Sequence, residues 1–296
     1  MSYSSASRIG TYFKLTLLFS MLGGIFVAVG FLVGGMSMAF WFLLFALGLN
    51  FVMYFASDKL VMISTGAKVV NESEAPRLHA IVEKMAAQAQ IPKPKIAIVQ
   101  SPQPNAFATG RSKDHAVVAT TTGLLNTMND DELEAVLAHE IGHVVHRDML
   151  LSTVAASIAT AISYIGNIIM WGFMLGGGSG RDRRDSSMNM AALGAAIVAP
   201  LAAMFVQMAI SRNREYYADE ASAVLTKRPS SLINALTKID SMIRRGAPLK
   251  VSPSTASLWI ANPFKGSGML QLFSTHPSTE KRIKRLEEIG YKMGLI

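Results

Sequence analysis

The stretch DDELEAVLAHEIGHVV, residues 130–145, carries the reading of this chain. Asn129 precedes Glu132 by three positions, the spacing of a capping box, and Leu133, Val136, Leu137 and Ile141 recur at helical intervals behind it. A helix is therefore predicted from about residue 130. On that helix His139 and His143 lie four residues apart, one imidazole a turn above the other on a single face, so both can grip one ion. Glu140, between them, can reach the ion's remaining position. Zinc held by three protein ligands makes a bound water acidic near neutral pH, and a neighbouring carboxylate can take its proton and pass it to a leaving amine. The HExxH pattern supplies both jobs in five residues, but as a short pattern it also arises by chance, as two surface histidines around a solvated glutamate.

A third protein ligand is needed. His146 shares the helix face but lies seven residues beyond His139, about 10.5 Å along the axis, so the three imidazoles would stand nearly in line. Glu215 is the better candidate, in SRNREYYADEAS (residues 211–222), where Asp219 shares its face four residues on. If Glu215 takes the metal, Asp219 can accept the remaining N–H of a ligating histidine. On local pattern alone this is an ordinary charged helix. Cysteine is absent from the 296 residues, which excludes thiolate ligands, disulfides and a cysteine nucleophile.

Outward from these motifs the chain turns apolar. Half its residues are hydrophobic and 16% are charged, against roughly a quarter in soluble domains. Residues 15–33 and 40–55 carry no charge and can each cross a bilayer as a helix. The first is read as a retained anchor rather than a cleaved signal, since a second apolar run follows at once. Residues 150–175 and 188–210 form another apolar pair around a Gly-rich loop, residues 176–189, either spanning the membrane or packing as a buried hairpin. If Glu215 and His143 bind one ion, residues 150–210 must cross an even number of times or not at all, and two apolar runs satisfy that. The fold class expected is a mainly α integral membrane protein, with transmembrane helices and a helical catalytic domain holding a small β-sheet. Its units would be residues 1–56, 57–149, 150–210 and 211–296.

Between the hairpins, residues 74–90 read as an amphipathic helix, and residues 95–100, 105–109 and 115–121 as strands. Helices are predicted near residues 212–225, 230–245 and 278–289, while residues 246–268 show no assignable feature. Basic residues flank the apolar runs, with Arg8 and Lys14 before the first and Lys59, Lys68, Arg147, Arg212 and Arg214 beside the others, which places the catalytic parts in the cytoplasm. Arg181, Arg183 and Arg184 in the second hairpin loop argue the other way for that loop. The net charge of +8 is thereby a membrane-flank signature, and no nucleic-acid partner is expected, because the cations do not interleave with stacking aromatics.

Taken in order, PNAFATG (104–110), HEIGH (139–143), REYYAD (214–219) and HPSTEKRI (276–283), set between two hydrophobic hairpins, resemble the HtpX-type heat-shock proteases. More distantly they resemble the type I CAAX prenyl proteases of the same membrane gluzincin family. The resemblance implies a zinc endopeptidase with His139, His143 and Glu215 as ligands and Glu140 as catalytic base. One zinc ion per chain would act on protein or peptide substrates, misfolded membrane proteins above all, at the bilayer of a bacterial cytoplasmic membrane. By the same likeness Asn105, Ala106 and Phe107 form an edge strand that pairs with an extended substrate. His276 would hydrogen-bond the oxyanion and Arg282 would hold its segment. His79 and His115 gain no role. The rival from another class is a membrane adaptor whose metal only staples helices. A transporter is disfavoured, because the apolar runs lack ionisable residues.

Overall fold

A long helical hairpin opens the chain. The computed structural model describes residues 5–176, 212–246, 253–261 and 277–296. Helix α1 (Ser5–Thr65) consists of two arms joined at Gly34 and Gly35, whose backbone leaves helical values; Gly35 has φ 64°, open to glycine without strain. The arms fold back on each other: Asn50 Nδ2 donates to the Phe19 carbonyl across them at 3.2 Å, and Phe26 packs on Phe42 and Phe45. Both arms, Gly10–Ala28 and Gly34–Thr65, are long and apolar enough to cross a membrane. Their outward side chains, among them Phe13, Phe40, Trp41, Phe45 and Phe51, are exposed, a face that water would not tolerate and lipid does. The second arm runs through Thr65, past residue 56, where the first unit was expected to end.

The three predicted strands and a short fourth that was not predicted form one mixed sheet. β1 (Lys68–Val69) pairs antiparallel with β2 (Lys95–Val99), β2 parallel with β4 (Val117–Thr121), and β4 antiparallel with β3 (Ala106–Thr109), giving the order β1-β2-β4-β3. Helix α2 (Pro76–Gln88), with proline in its first turn, buries Leu78, Val82, Met85 and Ala86 against the core. After the short α3 (Thr122–Thr127) comes α4 (Asp130–His146), the helix of the opening motif. The capping box is present: Asn129 Oδ1 accepts from the Glu132 N–H at 2.9 Å, and Glu132 Oε2 accepts from the Asn129 N–H at 3.1 Å. Asp130, Asp131 and Glu132 in the first turn and His143 and His146 in the last suit the helix dipole.

Helix α5 (Met149–Gly176) follows almost at once, because Arg147 takes a left-handed conformation and ends α4. Its first turns pack against α1 through Leu150, Leu151, Val154 and Ile158, on Leu15, Leu18, Leu22 and Met53. Beyond it, α6 (Arg212–Thr226), α7 (Pro229–Arg244) and α8 (Thr279–Met293) match the three predicted C-terminal helices to within a few residues. The second arm of the expected second hairpin, its Gly-rich loop and His276 lie outside the described residues. The main core gathers α2, α4, α7 and the sheet around Leu133, Val136, Leu137, Ile141, Leu236 and Ile239.

Candidate metal centre

Two helices supply the centre, and their spacing is set by the absence of a side chain. A Cβ on Gly142 would stand 3.0 Å from both the Ala218 Cα and the Ala221 Cβ, so α4 and α6 touch through backbone and methyl groups. Ser222 Oγ, donating to the Ala135 carbonyl at 2.7 Å, ties the same pair together. This contact brings Glu215 to the histidines. In Gly142→Ala, α6 must give way by a few tenths of an ångström and carry Glu215 with it. We expect a loss of about 1–3 kcal/mol of stability and weaker metal binding, read by denaturation and by zinc titration. Unchanged affinity would show that the helix contact does not set the site.

His139, His143 and Glu215 are all buried, and one ligand atom from each lies within 4.8 Å of the others. Glu215 Oε2 is 3.8 Å from His139 Nε2, and its Oε1 is 3.8 Å from His143 Nε2. Donor atoms bound to zinc at about 2.0–2.2 Å stand roughly 3.5 Å apart in a tetrahedron, so ligand atoms within 4.8 Å of one another must draw together to hold such an ion. Two imidazoles and one carboxylate, without sulfur, are also a donor set suited to zinc with an open position. His146 is not in the cluster, in keeping with its expected exclusion; its ring packs 5.9 Å from that of Tyr217.

Each imidazole is turned by a carboxylate behind it. His139 Nδ1 stands 2.9 Å from Asp219 Oδ1, and His143 Nδ1 stands 3.0 Å from Asp148 Oδ1. Both contacts place a proton on Nδ1 and turn Nε2 toward Glu215, where its lone pair is offered to an ion once Nε2 carries no proton. The carboxylates are themselves held. Arg282 donates to Asp219 from Nε at 2.9 Å and from Nη2 at 2.6 Å, while Arg214 Nε lies 3.2 Å from Asp148 Oδ2. The shorter distance from Arg282 Nη2 to His139 Nδ1, 3.3 Å, is then a contact between two donors and not a bond. Electrostatics differ between the histidines. Burial, helped by Arg282, takes His139 down to about 4, whereas at His143 burial opposes the charge but Asp148, Glu215 and Glu140 outweigh it and lift the ring to about 9. Asp219 cannot do as much for His139 because its own charge is spent on Arg282.

Asp148 is the residue that sequence reasoning missed. It sits at the break between α4 and α5, where it is free of both helices and folds back on His143, five residues away. The signal was available as an Asp just past the HEIGH helix, a counterpart of Asp219 one turn beyond Glu215. In Asp148→Asn the imidazole loses its charged acceptor, and zinc affinity is expected to fall about 10–100-fold with the fold retained. Competition with a calibrated chelator measures it, and wild-type affinity would remove Asp148 from the site.

Glu140 is 1% exposed, and neither of its carboxylate oxygens has a hydrogen-bond partner. Burial pushes its carboxyl up to about 8, with His143 opposing and Glu215 adding to the rise. A buried carboxylate with no hydrogen bond is costly and uncommon. This one is near enough to His143 and Glu215 to feel the charge of both.

The edge expected to receive substrate is already taken. Trp259 forms an antiparallel bridge with Phe107, the Ile260 N–H donates to the Ala106 carbonyl at 2.8 Å, and the rings of Trp259 and Phe107 pack at 4.8 Å. Asn105 grips the backbone of Ala261 with both ends of its amide, Nδ2 donating to the carbonyl at 2.9 Å and Oδ1 accepting the N–H at 3.3 Å. Asn105, Ala106 and Phe107 therefore hold the chain's own residues 259–261. Here the outer backbone groups of the stretch expected to pair with a substrate strand are engaged by the chain itself. The same segment is tied to the metal centre, since Arg282 Nη1 donates to the Ile260 carbonyl at 2.6 Å.

The model of peptidase family M48 matches residues 72–290, a span that includes HEIGH, Glu215, Asp219 and Arg282. A relative described as a protease HtpX homolog from Pyrococcus furiosus is 47% identical over 288 residues, covering 97% of this chain and 99% of that protein. Another with the same description, from Aquifex aeolicus, is 45% identical over 274 residues, covering 92% and 90%. The solved structure of S. mikatae Ste24p aligns with a TM-score of 0.46 at 19% identity, covering 96% of this chain and 67% of that one. With one family model spanning both helices of the centre and relatives extending the match to nearly the whole chain, the protein belongs to peptidase family M48 and is a membrane metalloprotease.

Proposed function

We propose that this chain is a zinc-dependent endopeptidase that cleaves misfolded or damaged membrane proteins, with Glu140 as the general base. The observation that carries the reading is Glu140 itself, a buried carboxylate without a hydrogen-bond partner beside three converging ligand atoms. His139, His143 and Glu215 would hold the zinc ion, which supplies Lewis acidity at the scissile carbonyl and lowers the pKa of water. Glu140 would take a proton from the attacking water and return it to the leaving nitrogen. Asp219, clamped by Arg282, and Asp148, beside Arg214, keep the Nε2 lone pairs aimed inward. By family likeness His276 would donate to the oxyanion.

The quality-control reading draws on the exposed apolar faces of α1, which keep the catalytic residues close to a bilayer where damaged membrane segments would present themselves. The flanking Lys and Arg residues support the cytoplasmic membrane, with the catalytic side inward. The test uses detergent-purified protein returned to liposomes with a folded membrane protein or its destabilised variant as substrate. Chelation should abolish cleavage, one equivalent of zinc per chain should restore it, and the destabilised substrate should be cut faster. Equal cutting of both substrates would remove quality control, and no cutting with zinc bound would remove the peptidase reading.

A further inference from the structure

A cleft of about 340 Å³, lined by none of the metal-ligand residues, lies where the hairpin meets the end of α4 and the loop after β3. Its wall combines Tyr12 from the first arm of α1 and Tyr54 from the second with Arg111, Lys113 and Arg147 from the loops beyond. Asp114 is the one carboxylate in the lining. The volume falls within the roughly 300–1,000 Å³ of small-molecule sites.

Its height in the membrane follows from the hairpin. Tyr12 stands near the start of the apolar arm Gly10–Ala28 and Tyr54 lies well along the returning arm Gly34–Thr65, so the two tyrosines come level at one end of the spans. Tyrosines gather at that level in membrane proteins, between hydrocarbon and water. Arg111 is bound to the same end, its guanidinium 5.6 Å over the ring of Phe55 and its Nη1 donating to the Phe55 carbonyl at 3.4 Å. None of the described ion pairs neutralises Arg111 or Arg147, and Arg147 is exposed at the end of α4. Next along the two arms from Tyr12 and Tyr54, Phe13, Leu17, Phe51 and Val52 are exposed apolar side chains.

A cationic pocket at the boundary, opening onto an apolar wall, matches one kind of molecule. We propose that the cleft binds the phosphate headgroup of an anionic glycerophospholipid, with Arg111, Lys113 and Arg147 around the phosphate and the acyl chains lying along α1. Free phosphate shares the headgroup's chemistry but gains nothing from the apolar wall. The inference rests on α1 lying in the bilayer and is independent of the peptidase mechanism, since no ligand or base of the metal centre lines the cleft.

The test is native mass spectrometry of the full-length protein released from nanodiscs of phosphatidylglycerol mixed with phosphatidylcholine. Wild type is expected to retain phosphatidylglycerol in preference to phosphatidylcholine. Arg111→Gln/Arg147→Gln should weaken that retention roughly fivefold per cation and about thirtyfold for the pair. A control, Arg245→Gln/Lys292→Gln, removes the same charge away from the cleft and should leave retention intact. Zinc content and peptide cleavage report that each variant is folded. Equal retention by the Arg111/Arg147 variant, equal loss in the control, or no preference for the anionic lipid would overturn the proposal. Competition by inorganic phosphate at matched concentration would overturn the lipid assignment in favour of a free-anion site.

Discussion

Glu140→Gln is expected to lower the turnover of a peptide substrate by about 10²–10⁴-fold, the usual contribution of a general base, while one zinc per chain remains bound. The two readouts separate because Glu140 is not among the converging ligand atoms, and the amide is close in size to the carboxylate it replaces. A third readout sharpens the case. The buried Glu140 oxygens have no hydrogen bond to lose, so the metal-free variant should melt no lower than metal-free wild type. If Glu140 were instead a structural partner of the helices, the substitution would lower the melting temperature and leave residual chemistry. If metal only stapled α4 to α6, cleavage would never have depended on Glu140. Full activity in a zinc-loaded Glu140→Gln protein would end its assignment as the base.

The helix that holds this residue was legible because its signals are local. A capping box, an apolar stripe and HExxH all lie within residues 129–143, and each depends on neighbours no more than a turn or two away. The convergence of Glu215 was legible for another reason: Asp219 shares its helix face one turn on, and the ordered motifs pair REYYAD with HEIGH. The clamp on His143 was harder to see. Asp148 belongs to neither helix pattern, and only the break at Arg147 turns it back toward the ring. Gly142 likewise reads as a spacer in HEIGH, and its role emerges only when Ala218 is found against it.

The cleft edge was read in part. The pattern of residues 105–109 marked a strand, and it is the edge strand of the sheet. What covers it could not be read, because residues 259–261 lie about 150 positions on, in a stretch with no periodicity, and engage through their backbone, held by the Asn105 amide and the Ala106 carbonyl, and a single Trp–Phe contact. On the side of residues 260 and 261 only backbone groups take part, so their identity leaves little trace in sequence. The lipid-facing hairpin is the opposite case, since composition alone determines it.

Arg282→Met is expected to destabilise the metal-free protein by about 3–5 kcal/mol, the cost of leaving a buried charge without its partner. Asp219 and Arg282 are both almost wholly inaccessible to water, so solvent cannot take over when one is removed. The guanidinium also joins three parts of the fold, meeting Asp219 of α6 through two bonds, the carbonyl of Ile260 through a third, and standing 3.6 Å from Glu215. Arg282→Lys should therefore recover little, because an ammonium on a flexible stem cannot hold a planar fork and a carbonyl together. The diagnostic variant is the double exchange. Adding Asp219→Asn to Arg282→Met removes the stranded charge and should return part of the loss, with a coupling of about 0.5–3 kcal/mol. His139 would then lose its charged acceptor, so zinc affinity in the double variant should stay low even as stability recovers, and that divergence separates folding from metal binding. Denaturation of the metal-free proteins in detergent measures the first and zinc titration the second. A loss of less than about 1 kcal/mol in Arg282→Met, the range of a solvent-screened pair, would mean that Asp219 is not held as buried charge.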